Sequence, residues 1–210
     1  MPTKTTLQAF LDALSSSSPA PGGGSVAALS GALGTALTSM VCQLTIGKKK
    51  YAEVDGEMRK VLEQAEALRP QFAALIDKDT AAFNKVMEAF ALPRETDPQK
   101  ALRTAAIRAA TKEATLVPLE VMKHCIDALA LAQQVASKGN VNAVSDAGVS
   151  ALMLHSACAG AALNARINLN SLDEPEFVGW KSEEVESILN TSSMMLEEIQ
   201  AIIEERMAKR

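Results

Sequence analysis

The sequence predicts an all-α protein built as a bundle of long antiparallel helices. Of its 210 residues 48% are hydrophobic but only 3% are aromatic, so the core relies on Ala, Leu, Val and Met. Alanine has the highest helix propensity, whereas sheets usually recruit β-branched and aromatic residues. Helical periodicity recurs along the chain, and no two segments resemble paired strands. Because no linker divides the chain, we expect one domain over residues 1–210.

Proline, glycine and serine set the limits of the first three helices. Their predicted ranges are 5–14, 25–47 and 55–91. A segment rich in serine and proline ends the first helix. Ser25 is a good N-cap for the second helix because it follows three glycines, and Gly47 ends that helix. We expect the third helix to bend at Pro70 and to stop before Pro93.

The remaining helices are predicted from the same signals. Their ranges are 98–137, 140–166 and 182–209, with a short separate turn at 173–177. Pro118 lies inside the fourth helix and predicts a kink or a break there, because proline lacks the backbone N–H that a helix needs. Short loops between long helices favour antiparallel neighbours.

Charge and cysteine content narrow the possible functions. A net charge of −4 argues against nucleic acid as the main partner. The three cysteines and two histidines show no spacing typical of a metal site, and an odd number of thiols favours a reducing compartment. No continuous apolar block of a signal peptide appears near the amino terminus. We therefore expect a cytoplasmic protein without a bound metal.

The second predicted helix belongs to a long uncharged segment. No residue from Ala13 to Gly47 is charged, and a helix over 25–46 would be about 33 Å long, enough to cross a bilayer. The segment also contains polar residues that would be costly in lipid. These are Ser30, Thr35, Thr38, Ser39 and Gln43. We therefore predict a buried central helix and no membrane span.

Asp79 interrupts an apolar stripe on the third helix. Phe72, Ile76, Phe83 and Phe90 recur at helical spacing, and Asp79 occupies a position within that stripe. Burial without a cation would raise its pKa towards the range useful for acid–base catalysis. The alternative is a structural aspartate that pairs with a lysine or a helix amino end, and periodicity alone favours this alternative.

The fifth helix carries a polar stripe on one face. Asn142, Asp146, Gly160 and Asn164 recur at near-heptad spacing. Polar groups on a packing face need hydrogen-bond partners, which either a ligand or a neighbouring helix could supply. The sequence leaves both alternatives open.

The two ends of the uncharged helix carry further candidate binding residues. The glycines before it are Gly22, Gly23 and Gly24, and the lysines after it are Lys48, Lys49 and Lys50. The glycines leave backbone N–H groups free beside Ser25, where an anion could bind, although flexible capping would also explain them. The lysines suit either an anion or the negative carboxyl end of the helix.

Four motifs in a fixed order resemble one known family. They are PGGGSVAALSGALGTALTSMVCQLTIGKKKY at 21–51, DKDTAAF at 77–83, KGNVNAVSDAGVSAL at 138–152 and ALNARINL at 162–169. Together they are similar to the cyclodeaminase/cyclohydrolase family. Its members are the carboxyl-terminal domain of formiminotransferase-cyclodeaminase and the stand-alone methenyltetrahydrofolate cyclohydrolases. The resemblance covers nearly the whole chain.

The resemblance implies an all-helical homodimer that binds a folate substrate and needs no metal or redox cofactor. It also implies that Asp79, the second aspartate of its motif, is the acid–base residue. Asn142, Asp146 and Asn164 could then contact the pterin or hold Asp79. The glycines with Ser25 could bind the pterin edge or a carboxylate, and the lysine cluster could meet a glutamate tail, including a polyglutamylated one.

Two family activities and one further alternative follow from the resemblance. Methenyltetrahydrofolate cyclohydrolase activity is the leading expectation, because the chain stands alone without a transferase domain. Formimidoyltetrahydrofolate cyclodeaminase activity is the second. A folate-binding helical dimer without catalysis is the third, and an intact Asp79 disfavours it.

Overall fold

The computed structural model describes residues 6–209, and this part of the chain is helical without any strand. Its long helices are α1 (Leu7–Leu14), α2 (Gly23–Thr45), α3 (Asp55–Phe90), α4 (Asp97–Lys138), α5 (Val144–Leu169) and α6 (Pro175–Ala208). Short 3₁₀ helices at Lys49–Val54 and Val141–Ala143 precede α3 and α5. The all-α prediction is confirmed. The predicted start of the first helix at Thr5 lies outside the described residues.

Helix α2 lies at the centre of the bundle and packs against α3, α4 and α5. Its small residues allow this close approach. A Cβ atom at Gly31 would lie only 2.4 Å from the ring of Phe72 on α3. Between α2 and α5, the hydroxyls of Thr38 and Ser150 are 2.9 Å apart, and Ser150 donates to the Gly34 carbonyl at 2.7 Å. The hydroxyl groups of Thr38 and Ser150 therefore satisfy each other and the α2 backbone inside the protein.

The burial of α2 bears on the predicted absence of a membrane span. Helix α2 and the segment Val141–Leu169 are long and apolar enough to cross a membrane by length and composition. In the most apolar part of α2, however, 56% of the residues are buried inside the protein. More than half of this part of α2 therefore packs against the rest of the protein, as expected for a helix of the core.

Several predicted boundaries differ from the structure. Helix α2 begins at Gly23 with Gly22 as its N-cap, so the prediction that Ser25 caps this helix is wrong. The Ser25 hydroxyl instead bonds to a side chain 54 residues away. Helix α6 begins at Pro175, so the turn predicted at 173–177 is not separate but leads into this helix. Proline suits the first helical position because the N–H it lacks has no partner there.

Helices α3 and α4 are continuous through their internal prolines. Pro70 lies within Asp55–Phe90, and Pro118 lies within Asp97–Lys138, so the predicted alternative of a break at Pro118 is wrong. Helix α4 begins with a capping box, in which Thr96 and Gln99 exchange side-chain and backbone hydrogen bonds. Packing on neighbouring helices outweighs the single backbone hydrogen bond that each proline removes.

The three cysteine side chains lie in the core. Cys42, Cys125 and Cys158 are all fully buried and free of disulfides. Burial raises the pKa of the Cys42 thiol to about 12 and that of Cys158 to about 11. These thiols are therefore protonated at neutral pH, which agrees with the absence of a cysteine nucleophile from the sequence predictions.

Candidate active site

A cavity of about 340 Å³ opens at the amino end of α2. Helices α2, α3, α4 and α5 and the segment before α2 form its walls. The lining residues are Pro19, Ala20, Gly22, Gly23, Gly24, Asp79, Ala82, Phe83, Val86, Ala114, Pro118, Asn164, Ile167 and Asn168. The walls are largely apolar, with one carboxyl group and two side-chain amides. Such a mixture is typical of a site for a small organic ligand.

Asp79 projects from α3 into this cavity beside the first turn of α2. The Ser25 hydroxyl donates a hydrogen bond to Oδ2 of Asp79 at 2.8 Å, and the Ser25 backbone N–H also contributes. No lysine or arginine within residues 6–209 forms an ion pair with this carboxylate. Of the two structural partners considered from the sequence, the structure therefore provides the helix amino end and not the lysine.

Burial is the main influence on the acidity of Asp79. Removal from water raises the pKa of the carboxyl group, and the hydrogen bonds from the side chain and backbone of Ser25 lower it by less. The net result is a pKa above the ordinary value for aspartate. A raised pKa favours the protonated form of a carboxyl group, which suits a group that must both accept and return a proton.

Gly24 is required for the position of the carboxylate. A Cβ atom at residue 24 would lie 2.1 Å from Oδ1 of Asp79 and 2.6 Å from its Cγ atom. Any larger side chain would therefore displace the carboxyl group. At Gly23, a Cβ atom would lie 3.3 Å from the Asn164 side-chain nitrogen, so the second glycine allows α5 to approach the same site.

Two amides of α5 face the cavity one helical turn apart. Asn164 donates its side-chain N–H to the Gly160 carbonyl at 2.8 Å, and Asn168 donates to the Ala114 carbonyl at 3.0 Å. In the described part of the chain, neither amide oxygen accepts a hydrogen bond from the protein. Both oxygens are therefore available to a ligand with N–H donors.

The other predicted polar residues of α5 lie away from this cavity. Asn142 is exposed and Asp146 is half-buried, both near the amino end of the helix. Asp146 and Asn164 are 18 residues apart, so about 27 Å separates them along the axis. The spacing of Asp146 and Asn164 places them on the same side of α5, but this distance keeps them apart, so they do not share one site within a single chain.

The lysine cluster also lies at the opposite end of α2 from the cavity, about 33 Å away by helix length. Lys48 and Lys49 border a separate hollow with Gly47, Ala52 and Asp55. Asp55 forms its ion pair with Arg59 at 2.7 Å. Within residues 6–209 neither Lys48 nor Lys49 pairs with a carboxylate, and the Lys50 ammonium stacks 5.7 Å from the Tyr51 ring centroid.

Sequence reasoning missed several cavity residues, among them Pro118 and Asn168. Asn168 follows Asn164 by four residues, so helical spacing would have placed it on the same face. Pro118 was noted only as a helix breaker, although it forms part of the wall. Among the described residues, no group of three or more His, Cys, Asp or Glu side chains could hold a metal ion.

Fold and cavity together define an all-α protein with a ligand-sized site around one titratable carboxyl group. A family described as formiminotransferase-cyclodeaminase matches residues 6–187. The chain belongs to this family, which confirms the resemblance found in its four motifs.

Relatives of the chain carry names of both family activities. A methenyltetrahydrofolate cyclohydrolase of Methylorubrum extorquens is 47% identical over 92% of this chain and 93% of its own length. The formimidoyltransferase-cyclodeaminase of Mus musculus is 34% identical over 88% of this chain, which spans only 34% of that protein. The crystal structure of a formiminotetrahydrofolate cyclodeaminase from Thermotoga maritima matches with a TM-score of 0.87 and 29% identity, covering 96% of this chain and 97% of that one.

Proposed function

We propose that this protein is a methenyltetrahydrofolate cyclohydrolase, which converts 5,10-methenyltetrahydrofolate and water into 10-formyltetrahydrofolate. The observation that carries the proposal is the carboxyl group of Asp79, which has a raised pKa in an apolar cavity. The similarity to the Methylorubrum enzyme, 47% over nearly the full length of both chains, supports this reaction.

In the first step, water attacks the cationic methenyl carbon that bridges N5 and N10. The new C–O bond forms as Asp79 accepts a proton from the water, which leaves a neutral tetrahedral centre. Before the attack, the carboxylate lies close to a delocalised cation and stabilises it. An apolar wall strengthens this attraction because little water screens the two charges.

In the second step, protonated Asp79 returns its proton to N5. The bond between the carbon and N5 then breaks, and the hydroxyl group loses its proton as it becomes the formyl carbonyl on N10. One proton is released overall, which balances the loss of the substrate's positive charge. A single carboxyl group can serve both steps because burial raises its pKa above the ordinary aspartate value, which makes the protonated form more accessible.

The Ser25 bonds would hold the carboxylate in place, and Asn164 and Asn168 would bind the pterin. The pterin ring offers N–H donors to the two free amide oxygens, and Phe83 and Pro118 offer apolar surface to its faces. The protein would act without a further cofactor, as a cytoplasmic homodimer that forms one domain. Asn142, Asp146 and the lysine cluster do not line the cavity of the same chain.

The second candidate is a cyclodeaminase, supported by the match to the Thermotoga structure over almost its entire length. In that reaction N10 attacks the formimino carbon on N5, and Asp79 protonates the departing ammonia. The same carboxyl group would thus act on either substrate.

A paired assay on the purified protein tests both candidates. We expect loss of 5,10-methenyltetrahydrofolate absorbance, and little ammonia from 5-formiminotetrahydrofolate. Asp79→Asn should lower turnover by about 10²- to 10⁴-fold, the usual contribution of a general acid–base group, with an unchanged helical spectrum. Asp77→Asn, two positions earlier on the same helix, is the matched control. Ammonia release as the dominant activity would favour the cyclodeaminase, and full activity of Asp79→Asn would refute the mechanism.

A further inference from the structure

Pro118 leaves one backbone carbonyl of α4 without its usual helical donor. In an α-helix the N–H of each residue donates to the carbonyl four residues earlier, and proline has no N–H. The carbonyl that loses its donor in this way is that of Ala114. Pro118 and Ala114 are both buried, so this carbonyl needs another partner inside the protein.

The side chain of Asn168 on α5 supplies the missing donor. Its Nδ2 atom donates to the Ala114 carbonyl oxygen at 3.0 Å. Ala114, Pro118 and Asn168 all line the cavity that holds Asp79. The interruption in the hydrogen bonding of α4 and the side chain that compensates for it therefore lie in the wall of the candidate active site.

This hydrogen bond determines which atom of the Asn168 amide faces the cavity. If the amide rotated by half a turn, its Oδ1 atom would lie opposite the Ala114 carbonyl oxygen. Two acceptors would then meet, and the buried carbonyl would have no donor from the side chain. The observed orientation is therefore the favourable one, and it leaves Oδ1 as the atom that can accept a hydrogen bond from a ligand.

The amide of Asn164 has no comparable constraint. It donates to the Gly160 carbonyl at 2.8 Å, within its own helix. In a regular helix this carbonyl already accepts the backbone N–H of residue 164, so rotation of the amide would not leave the carbonyl without a donor. Of the two amides in the cavity wall, Asn168 is the one whose orientation the backbone determines.

We propose that Pro118 is a positioning residue, which acts through the Ala114 carbonyl to orient the Asn168 amide so that its oxygen accepts an N–H group of the bound pterin. This inference rests on the proposed function, since it identifies what aligns one substrate-binding group of the same site. A site binds more tightly when its hydrogen-bonding groups are oriented before the ligand arrives. The proline within α4 thereby contributes to substrate binding through a residue of another helix.

Two substitutions that differ in one N–H group test the role of the missing donor. Pro118→Ala removes the proline ring and restores the backbone N–H. Lactic acid at position 118, introduced with a chemically acylated suppressor tRNA, also removes the ring but places an ester oxygen where the N–H would be. The loss of the apolar ring is common to both proteins, so the difference in KM between them reports on the restored N–H.

The KM for 5,10-methenyltetrahydrofolate should be about 2- to 12-fold higher in Pro118→Ala than in the lactic acid protein, which is the usual contribution of one hydrogen bond. The restored N–H donates to the Ala114 carbonyl, and the Asn168 amide is then free to rotate. The kcat should be the same in both proteins, because a group that binds ground state and transition state equally changes only KM. Equal KM values would overturn the inference, as would a difference confined to kcat.

A double-mutant cycle tests the same link without any substrate. In Asn168→Ala the Ala114 carbonyl loses its side-chain donor, so the N–H restored by Pro118→Ala has no competitor there. We expect Pro118→Ala to raise the melting temperature by about 1–6 °C more in the Asn168→Ala background than in the wild-type background. Equal shifts in the two backgrounds would overturn the inference, because the two residues would then not share the carbonyl.

Pro70→Ala is the matched control. Pro70 lies inside α3 at an exposed position and does not line the cavity. This substitution also restores an N–H, but it should leave KM unchanged and shift the melting temperature equally in both backgrounds. Coupling of Pro70 to Asn168 as strong as that of Pro118 would also overturn the inference. If the wild-type protein turned over neither folate, the proposed function would be rejected, and the melting temperatures would still support or overturn the orientation of Asn168 by Pro118.

Discussion

Replacement of Gly24 by alanine gives the most direct test of how the carboxylate is placed. The added Cβ atom would lie 2.1 Å from Oδ1 of Asp79, whereas ordinary contacts begin at 3.4 Å, so the carboxyl group must retreat by about 1.3 Å. This shift would also break its 2.8 Å hydrogen bond with Ser25. The backbone of α2 itself can accept alanine, because residue 24 lies inside a regular helix.

The expected magnitude follows from the size of the shift. A misplacement of about 1 Å in a catalytic group costs roughly 100-fold in rate, so we expect kcat of Gly24→Ala to fall by about two orders of magnitude. Stability should change less, because the overpacking cost of about 1–3 kcal/mol is partly offset by the better helix propensity of alanine, about 1 kcal/mol. The melting temperature should therefore fall by only a few degrees.

Steady-state kinetics with 5,10-methenyltetrahydrofolate and thermal unfolding together check this prediction. Gly56→Ala is the matched control, since a Cβ atom at that position on α3 meets nothing within 4 Å. It should keep full activity. A Gly24→Ala protein with wild-type kcat would show that the position of the Asp79 carboxylate beside α2 does not matter for turnover, and the reasoning would fail.

Three further predictions concern the same pair of helices. Ser25→Ala removes a hydrogen bond that lowers the pKa of Asp79, so the acidic limb of the kcat/KM profile should move to higher pH; an unmoved limb would contradict the role of Ser25. Asp79→Asn should raise the melting temperature at neutral pH, because burial makes the charged carboxylate unfavourable in the folded protein. Since the pKa of Asp79 is raised in the folded protein, the wild-type protein loses stability as the pH rises through that pKa. The gain in melting temperature of Asp79→Asn should therefore vanish at pH below about 3.9, the ordinary aspartate value. A gain in melting temperature that is independent of pH would argue against this cause. Phe83→Ala should weaken folate binding through lost apolar contact in the cavity, so KM should rise while the pH profile of kcat/KM stays unchanged. An altered pH profile would point instead to a disturbed Asp79.

The sequence was sufficient for the fold class and for the most important candidate residue. Helical periodicity determines the direction in which a side chain points, and this is why Asp79 could be recognised as a carboxylate aimed at the core. It does not reveal the partner. The bond between Ser25 and Asp79 joins residues 54 positions apart, so local capping preferences led to the wrong role for Ser25.

Periodicity also gives little information about distance along a helix. Asn142 and Asn164 recur on related faces, yet they lie at opposite ends of the α5 region, and only Asn164 reaches the cavity. The start of α6 was missed for a different reason. The residues from Pro175 onwards carry no continuous apolar stripe, and Trp180 is 70% exposed, so the pattern weakens where the helix still continues.

The burial of all three cysteines has a practical consequence for work on this protein. Thiol reagents react with thiolates. Burial keeps these thiols away from the reagent, and the raised pKa values of Cys42 and Cys158 keep them protonated in the folded state. The rate of cysteine labelling in the wild-type chain would therefore report the rate at which the protein unfolds. A single cysteine introduced on the exposed surface could carry a spectroscopic probe without prior removal of the native thiols, so distances between two chains could be measured in an otherwise unaltered sequence.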